Sequence, residues 1–312
     1  MRLTNPGYYD DIPFLREAYT EGKNITELLR KLKGVDHNTP EIIEVAYDLQ
    51  AGSYIKAVLQ NMDFAEAYAG ELAELINQHI EAPRTILDIG TGEITTLSLV
   101  VSKLAVQPEY LYAFDISWSR IFKGLNFSRQ FMTEETYKNF KPFVADIAEI
   151  PLLDKSVDIT ISSHALEPNG DCLPVLLTEL FRVTREKLIL FEPCYEENSV
   201  SGQQRMDRLG YIKGLDELIG KLGGVLLGKE PIKNIANPLN PTFGYVVEPP
   251  KVHESNHQRG NKEIFSLPGK NSKLIEHGNF YYSSDAGLCF PVLESIPVLK
   301  SKAAILATAL IE

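Results

Sequence analysis

Apolar positions in the first part of the chain recur at intervals of three and four residues, the period of a helix that buries one face. Asn24-Ile25-Thr26-Glu27 sets a polar start ahead of Leu28, Leu29 and Leu32. Thr39-Pro40-Glu41 opens a second helix, with proline at its first position, an acid in its first turn, and Ile42, Ile43, Ala46, Tyr47 and Leu49 along one face. From Asp63, residues Phe64, Ala67, Tyr68, Leu72, Leu75, Ile76 and Ile80 extend the pattern until Pro83 ends it. Residues 1–83 are thus predicted to be a helical cap.

At Arg84 the pattern changes to short apolar runs that end on polar residues. These runs are 85–89 before Gly90-Thr91-Gly92, 110–114 before Asp115, 142–145 before Asp146, 157–162 ending at Ser162, and 187–191 before Glu192. Helical stretches separate them, from about Thr95 to Val106 and from Leu173 to Val183. Strands alternating with helices specify βαβ units, and so an α/β, doubly wound, mainly parallel sheet. Runs 223–227 and 243–247 supply two closing strands, which brings the sheet to seven. Residues 249–263, PPKVHESNHQRGNKE, lack apolar periodicity and read as a linker. Residues 264–312 form a small tail unit, with strands near 280–282 and 288–290 and a helix from about Ser301.

Composition narrows the function. The chain has 312 residues, is 44% hydrophobic and carries a net charge of −11, so it can bury a large core and repels phosphate backbones. Nucleic acid is therefore not the expected partner; a small molecule is. No apolar run reaches the ~18 residues of a membrane span, and the N-terminus lacks a signal-peptide core, so a cytoplasmic location is expected. Cys172, Cys194 and Cys289 are too scattered for a disulfide framework or a four-cysteine zinc site.

In a doubly wound sheet, ligands bind beyond the carboxyl ends of the strands. Those ends carry Asp88, Asp115, Asp146, Ser162 and Glu192. The glycines of the first turn let backbone approach a ligand closely, although Thr95 stands where a dinucleotide fingerprint would place its third glycine. Asp115 has two readings: a carboxylate that accepts both hydroxyls of a ribose, or a cap of the following helix. Segment 47–54, YDLQAGSY, is either a lid over the ligand or an ordinary helix end. For proton removal, His164 is the leading base, with Glu167 and Glu192 as competitors.

The segments TILDIGTGEI, LYAFDIS, FVADIAEIPLLDKSVDITISSHALEP and LFRVTREKLILFEP, in that order, resemble class I S-adenosylmethionine-dependent methyltransferases over residues 84–195, extending to 248. That resemblance implies a Rossmann-like methyltransferase sheet over 84–248 and S-adenosyl-L-methionine as cofactor. It implies that Asp88, Gly90, Thr91 and Gly92 shape the methionine pocket, that Asp115 holds the ribose with Ile116 against adenine, and that Asp146 binds the adenine amino group beside Ile147. Ser162 and His164 would face the sulfonium and the acceptor. The family's third glycine is replaced by Ile94. The ending FYYSSDAGLCFPVLESIPVLKSKAAIL resembles the Trm112-like zinc-ribbon family, whose members are partners of methyltransferases. The first cysteine pair of that family would fall near 266–269, where there is none, so the resemblance implies a module without zinc.

The expected function is methyl transfer to a small-molecule or saccharide-type acceptor. The alternatives are an RNA or protein methyltransferase and a non-catalytic scaffold. His253-Glu254-Ser255-Asn256-His257 fits the zinc-peptidase pattern HExxH, but its polar, proline-flanked setting does not read as the helix that chemistry requires.

Overall fold

The computed structural model describes residues 11–251 and 263–310. The HExxH match and most of the expected linker lie outside the described residues. Five helices come first: α1 (Ile12–Thr20), α2 (Ile25–Lys33), α3 (Pro40–Leu49), α4 (Ser53–Gln60) and α5 (Met62–His79). The polar starts cap as their chemistry requires, with Asn24 accepting from Glu27 N at 3.0 Å and Thr39 from Ile42 N at 3.4 Å. Helices α1 to α3 close a small core of their own around Leu15, Ile25, Leu29 and Ile42. Helix α5 instead buries Leu72, Leu75 and Ile76 in the core on one face of the sheet.

The sheet is built from β1 (Thr85–Ile89), β2 (Tyr110–Asp115), β3 (Phe140–Val144), β4 (Val157–Ser163), β5 (Thr184–Pro193), β6 (Val225–Pro231) and β7 (Thr242–Glu248). Between them run α6 (Thr95–Val101), α7 (Trp118–Phe131), α8 (Glu134–Lys138), α9 (Leu173–Val183), α10 (Val200–Leu209) and α11 (Leu215–Lys221). The spatial order is β3-β2-β1-β4-β5-β7-β6, with β1 to β5 parallel and β7 antiparallel to both its neighbours. Strands β1 and β2 are buried along their whole length, as expected of strands with helices on both faces. The order turns back between β1 and β4, and this places a crevice at their carboxyl ends. Helices α8, α10 and α11 are additions to the sequence reading, and α1 and α4 fall within its helical cap. No helix among the described residues is long and apolar enough to cross a membrane.

The tail forms a second antiparallel sheet from β8 (Ile275–Glu276), β9 (Phe280–Ser283), β10 (Leu288–Leu293), β11 (Ile296–Pro297) and β12 (Ile305–Leu306). It shares both large cores: Phe265, Phe290 and Leu299 enter one, Ile296 and Val298 the other. Val298 bridges Val144 at the β3 edge, and Leu299 N donates to Val144 O at 2.8 Å. The helix expected from Ser301 is corrected here: Ser301–Ala303 is a single 3-10 turn, and β12 follows it. The backbone there is taken by the edge of β10, which pairs Cys289 with Ile305 and Leu288 with Leu306.

Candidate active site

The turn after β1 carries three consecutive left-handed positions at every second residue: Gly90 (φ 59), Gly92 (φ 57) and Ile94 (φ 58). Glycine adopts this conformation freely, whereas an isoleucine pays roughly 1–2 kcal/mol for it. Ile94 is fully buried in the core beside α5 and α6, and this burial holds the strained backbone in place. Helix α7 lies directly over the turn. A Cβ at Gly124 would sit 2.5 Å from Glu93 O, so only glycine permits that approach. Glu93 is itself buried, and its carboxylate accepts Gly52 N at 2.9 Å, Tyr54 N at 3.3 Å and Ile55 N at 2.8 Å. It therefore caps α4 from across the fold, satisfying amides that the helix start leaves unpaired.

Two of the strand-end acids, Asp88 and Asp115, meet at this turn, and Asp146 ends the next strand. Asp88 lines a cavity of about 80 Å³ together with Gly90, Thr91, Thr95, Ser162 and Arg120. Burial pushes the Asp88 carboxyl up to about 7. Asp115 is buried at the end of β2, with Oδ2 accepting Gly92 N at 2.9 Å and Oδ1 accepting Ser117 N at 2.9 Å. Ser117 is the cap of α7, so Asp115 supports the helix start without capping it. Ile116 is half-buried beside it, and its carbonyl accepts from Lys300 Nζ at 3.3 Å. Asp146, half-buried, caps the turn after β3 by accepting Ala148 N at 2.9 Å, and burial holds its carboxyl above the usual range. Ile147 packs against the core next to it.

Segment 47–54 covers this region. Asp48 accepts from Ser117 Oγ at 2.6 Å and from Ser119 Oγ at 3.1 Å, which ties the end of α3 to the start of α7. The guanidinium of Arg120, with 10% of its side chain exposed, reaches Asp115 Oδ2 at 3.5 Å. The rings of Tyr47 and Tyr54 lie over it at 5.1 and 4.8 Å from their centroids.

The 3-2-1-4-5-7-6 sheet with its flanking helices has counterparts among solved structures. A chain from the complex of the Haloferax volcanii Trm112 methyltransferase activator superposes with a TM-score of 0.50 at 14% identity, over 65% of this chain and 97% of its own. The fold is that of class I methyltransferases. The mitomycin 7-O-methyltransferase gives a TM-score of 0.49 at 13% identity, over 77% of this chain and 67% of its own. The geranyl diphosphate C-methyltransferase of Streptomyces coelicolor A3(2) gives 0.44 at 10% identity, over 57% and 79%. No family model and no curated protein matches the sequence.

Within this methyltransferase fold, the loop after β4 holds a second polar group. His164, left-handed at φ 59, places Nδ1 2.6 Å from Glu167 Oε2 and Nε2 3.0 Å from Thr242 Oγ1. Asn240 Nδ2 also donates to Glu167 Oε2, at 3.0 Å. Burial opposes a charge on His164, but the charge and hydrogen bond of Glu167 outweigh it and raise the imidazole above its usual 6.5. For Glu167 burial works the other way, yet the same pairing and the Asn240 and Tyr211 hydrogen bonds hold it below its usual 4.5. Ser162 lines the cavity, and its Oγ donates to Glu192 Oε1 at 2.7 Å. That oxygen also accepts Ala165 N and Leu166 N, at 3.0 and 3.1 Å. Glu192 Oε2 is buried with no partner among the described residues, and burial pushes this carboxyl up to about 7.

The residues named from sequence thus fall into two neighbouring groups: the acids and glycines of the turn, and the His164–Glu167 pair. Sequence reasoning missed Glu93, Arg120, Asn240 and Thr242. Glu93 follows the glycine turn directly and was open to notice. The others carry no local signal, because each is brought in from a distant segment.

Proposed function

We propose that this protein is an S-adenosylmethionine-dependent methyltransferase acting on a small-molecule acceptor. The observation that carries the reading is the meeting of Asp88 and Asp115 at a left-handed glycine turn beside the strand-order reversal, with Asp146 at the end of the next strand over. The motif resemblance ties that constellation to this cofactor. The residues fit it in kind. Asp88 faces the cavity, the turn bears no side chain at Gly90 or Gly92, and Asp115 stands where a ribose diol would find two acceptor oxygens. In volume they fit only with movement, because about 80 Å³ is well below the ~300 Å³ of ordinary ligand pockets.

When bound, the cofactor supplies an activated methyl group on sulfur, so the protein has little covalent chemistry to perform. In this reading Asp88 and the turn amides seat the amino-acid end, Asp115 orients the nucleoside, Asp146 and Ile147 border the base, and the cover formed by segment 47–54 excludes water. His164 takes the acceptor's proton at Nε2. Ionised Glu167 keeps the other proton on Nδ1 and stabilises the imidazolium that results. Thr242 holds Nε2 until an acceptor hydroxyl replaces it. The charge of −11 and the cover over the crevice favour a small acceptor over nucleic acid.

The competing reading is a non-catalytic scaffold, and the small cavity and strained Ile94 favour it. Calorimetry with S-adenosylhomocysteine separates the two. The catalytic reading expects binding by the wild type and a loss of about 2–3 kcal/mol in Asp115→Ala, from two charge-assisted hydrogen bonds. A wild type that does not bind overturns the catalytic reading and favours the scaffold.

A further inference from the structure

Two largely covered arginines in this fold are held very differently. Arg182 is saturated: Nε donates to Glu179, Nη1 to Leu152 O and Asp154, and Nη2 to Ile150 O and Glu179, all within 2.9 Å. It fastens α9 to the loop after β3. Arg120 is the more withdrawn from solvent, yet its ionic contact with Asp115 is 3.5 Å long and its Nε is buried with no partner among the described residues. The rest of its seat consists of the Tyr47 and Tyr54 rings and the bare backbone of the glycine turn. A Cβ built on Gly92 would lie 2.4 Å from Arg120 Nη2, so the guanidinium rests against the face of the turn that glycine leaves open.

That face, with the Asp115 carboxylate beside it, is the ground on which a nucleoside would sit in the reading above. The two oxygens of Asp115 already take Gly92 N, Ser117 N and the guanidinium. A cis-diol needs both oxygens free on their outer sides. The charge of Arg120 also lowers the attraction of Asp115 for any incoming donor.

We propose that Arg120 sets the affinity of this cleft by occupying it. Its guanidinium stands in the place of the ligand's ribose between Gly92 and Asp115, and a nucleoside enters only as Arg120 swings out and the Tyr47–Tyr54 cover loosens. With no hydrogen bond on Nε, the departure breaks one long ionic contact and two ring contacts, and frees a buried donor to reach water. Tyr54 is 45% exposed, so the cover has a side from which it can open. Asp48 and Glu93 remain as the tethers that bring the cover back. The proposal rests on the cofactor reading of this cleft.

The test compares the wild type with Arg120→Met, which keeps the bulk and removes the charge, and with Tyr54→Ala, which removes a half-exposed ring. Isothermal calorimetry with S-adenosylhomocysteine should show Arg120→Met binding at least ~10-fold more tightly than the wild type, and Tyr54→Ala ~3-fold more tightly. Without ligand, amide exchange over residues 47–60 should rise in both variants. If the wild type binds and Arg120→Met binds equally or more weakly, Arg120 is a ligand contact or a bystander and the proposal falls while the cofactor reading stands. If no form binds at millimolar ligand, the cofactor reading falls and takes the proposal with it. Unchanged exchange over 47–60 in Arg120→Met also overturns it, since the arginine would then not be the seat of the cover. Should Arg120→Met not fold, Tyr54→Ala decides by the same two readouts.

Discussion

Glu93 offers a sharp test of how the N-terminal cover is attached. It is 1% exposed, and its two oxygens accept the amides of Gly52, Tyr54 and Ile55 at the start of α4. Removing it as Glu93→Ala deletes all of these bonds and the negative charge at the helix N-terminus. Hydrogen bonds to a charged group contribute ~1.5–3 kcal/mol each, but donors that share one carboxylate are not independent. Helix α4 buries none of its residues, so its freed amides can turn to water. Two bonds at the lower value give a loss of about 3 kcal/mol. Glu93→Gln keeps one acceptor oxygen and turns an amide group toward the other donor, for a loss of about 1–2 kcal/mol. Denaturant unfolding gives the global figure, and amide exchange at Tyr54 and Ile55 gives the local one. A Glu93→Ala protein within about 0.5 kcal/mol of wild type, with unchanged exchange at those amides, would refute the reasoning.

Other consequences can be measured independently. Asp88 is pushed up to about 7 in the folded protein from an ordinary 3.8, so the fold holds its proton more tightly than the unfolded chain does. The resulting stabilisation is complete below about pH 3.8 and declines as pH rises toward 7; Asp88→Asn should remove that decline and gain up to about 4 kcal/mol at pH 8 by urea titration. His164 must be unprotonated to act as a base, and Glu167 raises it. The methylation rate should therefore climb through a limb above pH 6.5, fall ~10²–10⁴-fold in His164→Ala, and show its limb at lower pH in Glu167→Gln. Phe265 of the tail packs its ring against Phe143 and Tyr112 at 5.1 and 6.1 Å, so Phe265→Ala should cost about 3–5 kcal/mol in chemical denaturation of the whole chain. A separate unfolding step confined to the tail would contradict the shared core.

Much of the architecture was legible from local pattern, because it is local pattern that physical chemistry acts on first. Alternating short apolar runs and helical stretches specify a parallel sheet, and parallel strands end where polar side chains can meet a ligand. Asp88, Asp115 and Asp146 could be named for that reason: Asp88 is the one acid within its short apolar run, and Asp115 and Asp146 each directly follow theirs. Caps such as Asn24 and Thr39 were legible for a similar reason, since a cap and the amide it satisfies lie three residues apart. Tertiary structure alone decided what those side chains touch. Glu93 finds its donors about 40 residues away, Thr242 reaches His164 from β7, and Arg120 leans on Asp115 under two tyrosines, one from α3 and one from α4. The tail's last segment turned from an expected helix to a strand because the open edge of β10 offered hydrogen bonds that no local propensity could anticipate. Contacts of this kind depend on which surfaces the chain brings together, and that information is spread over the whole sequence rather than held in any stretch of it.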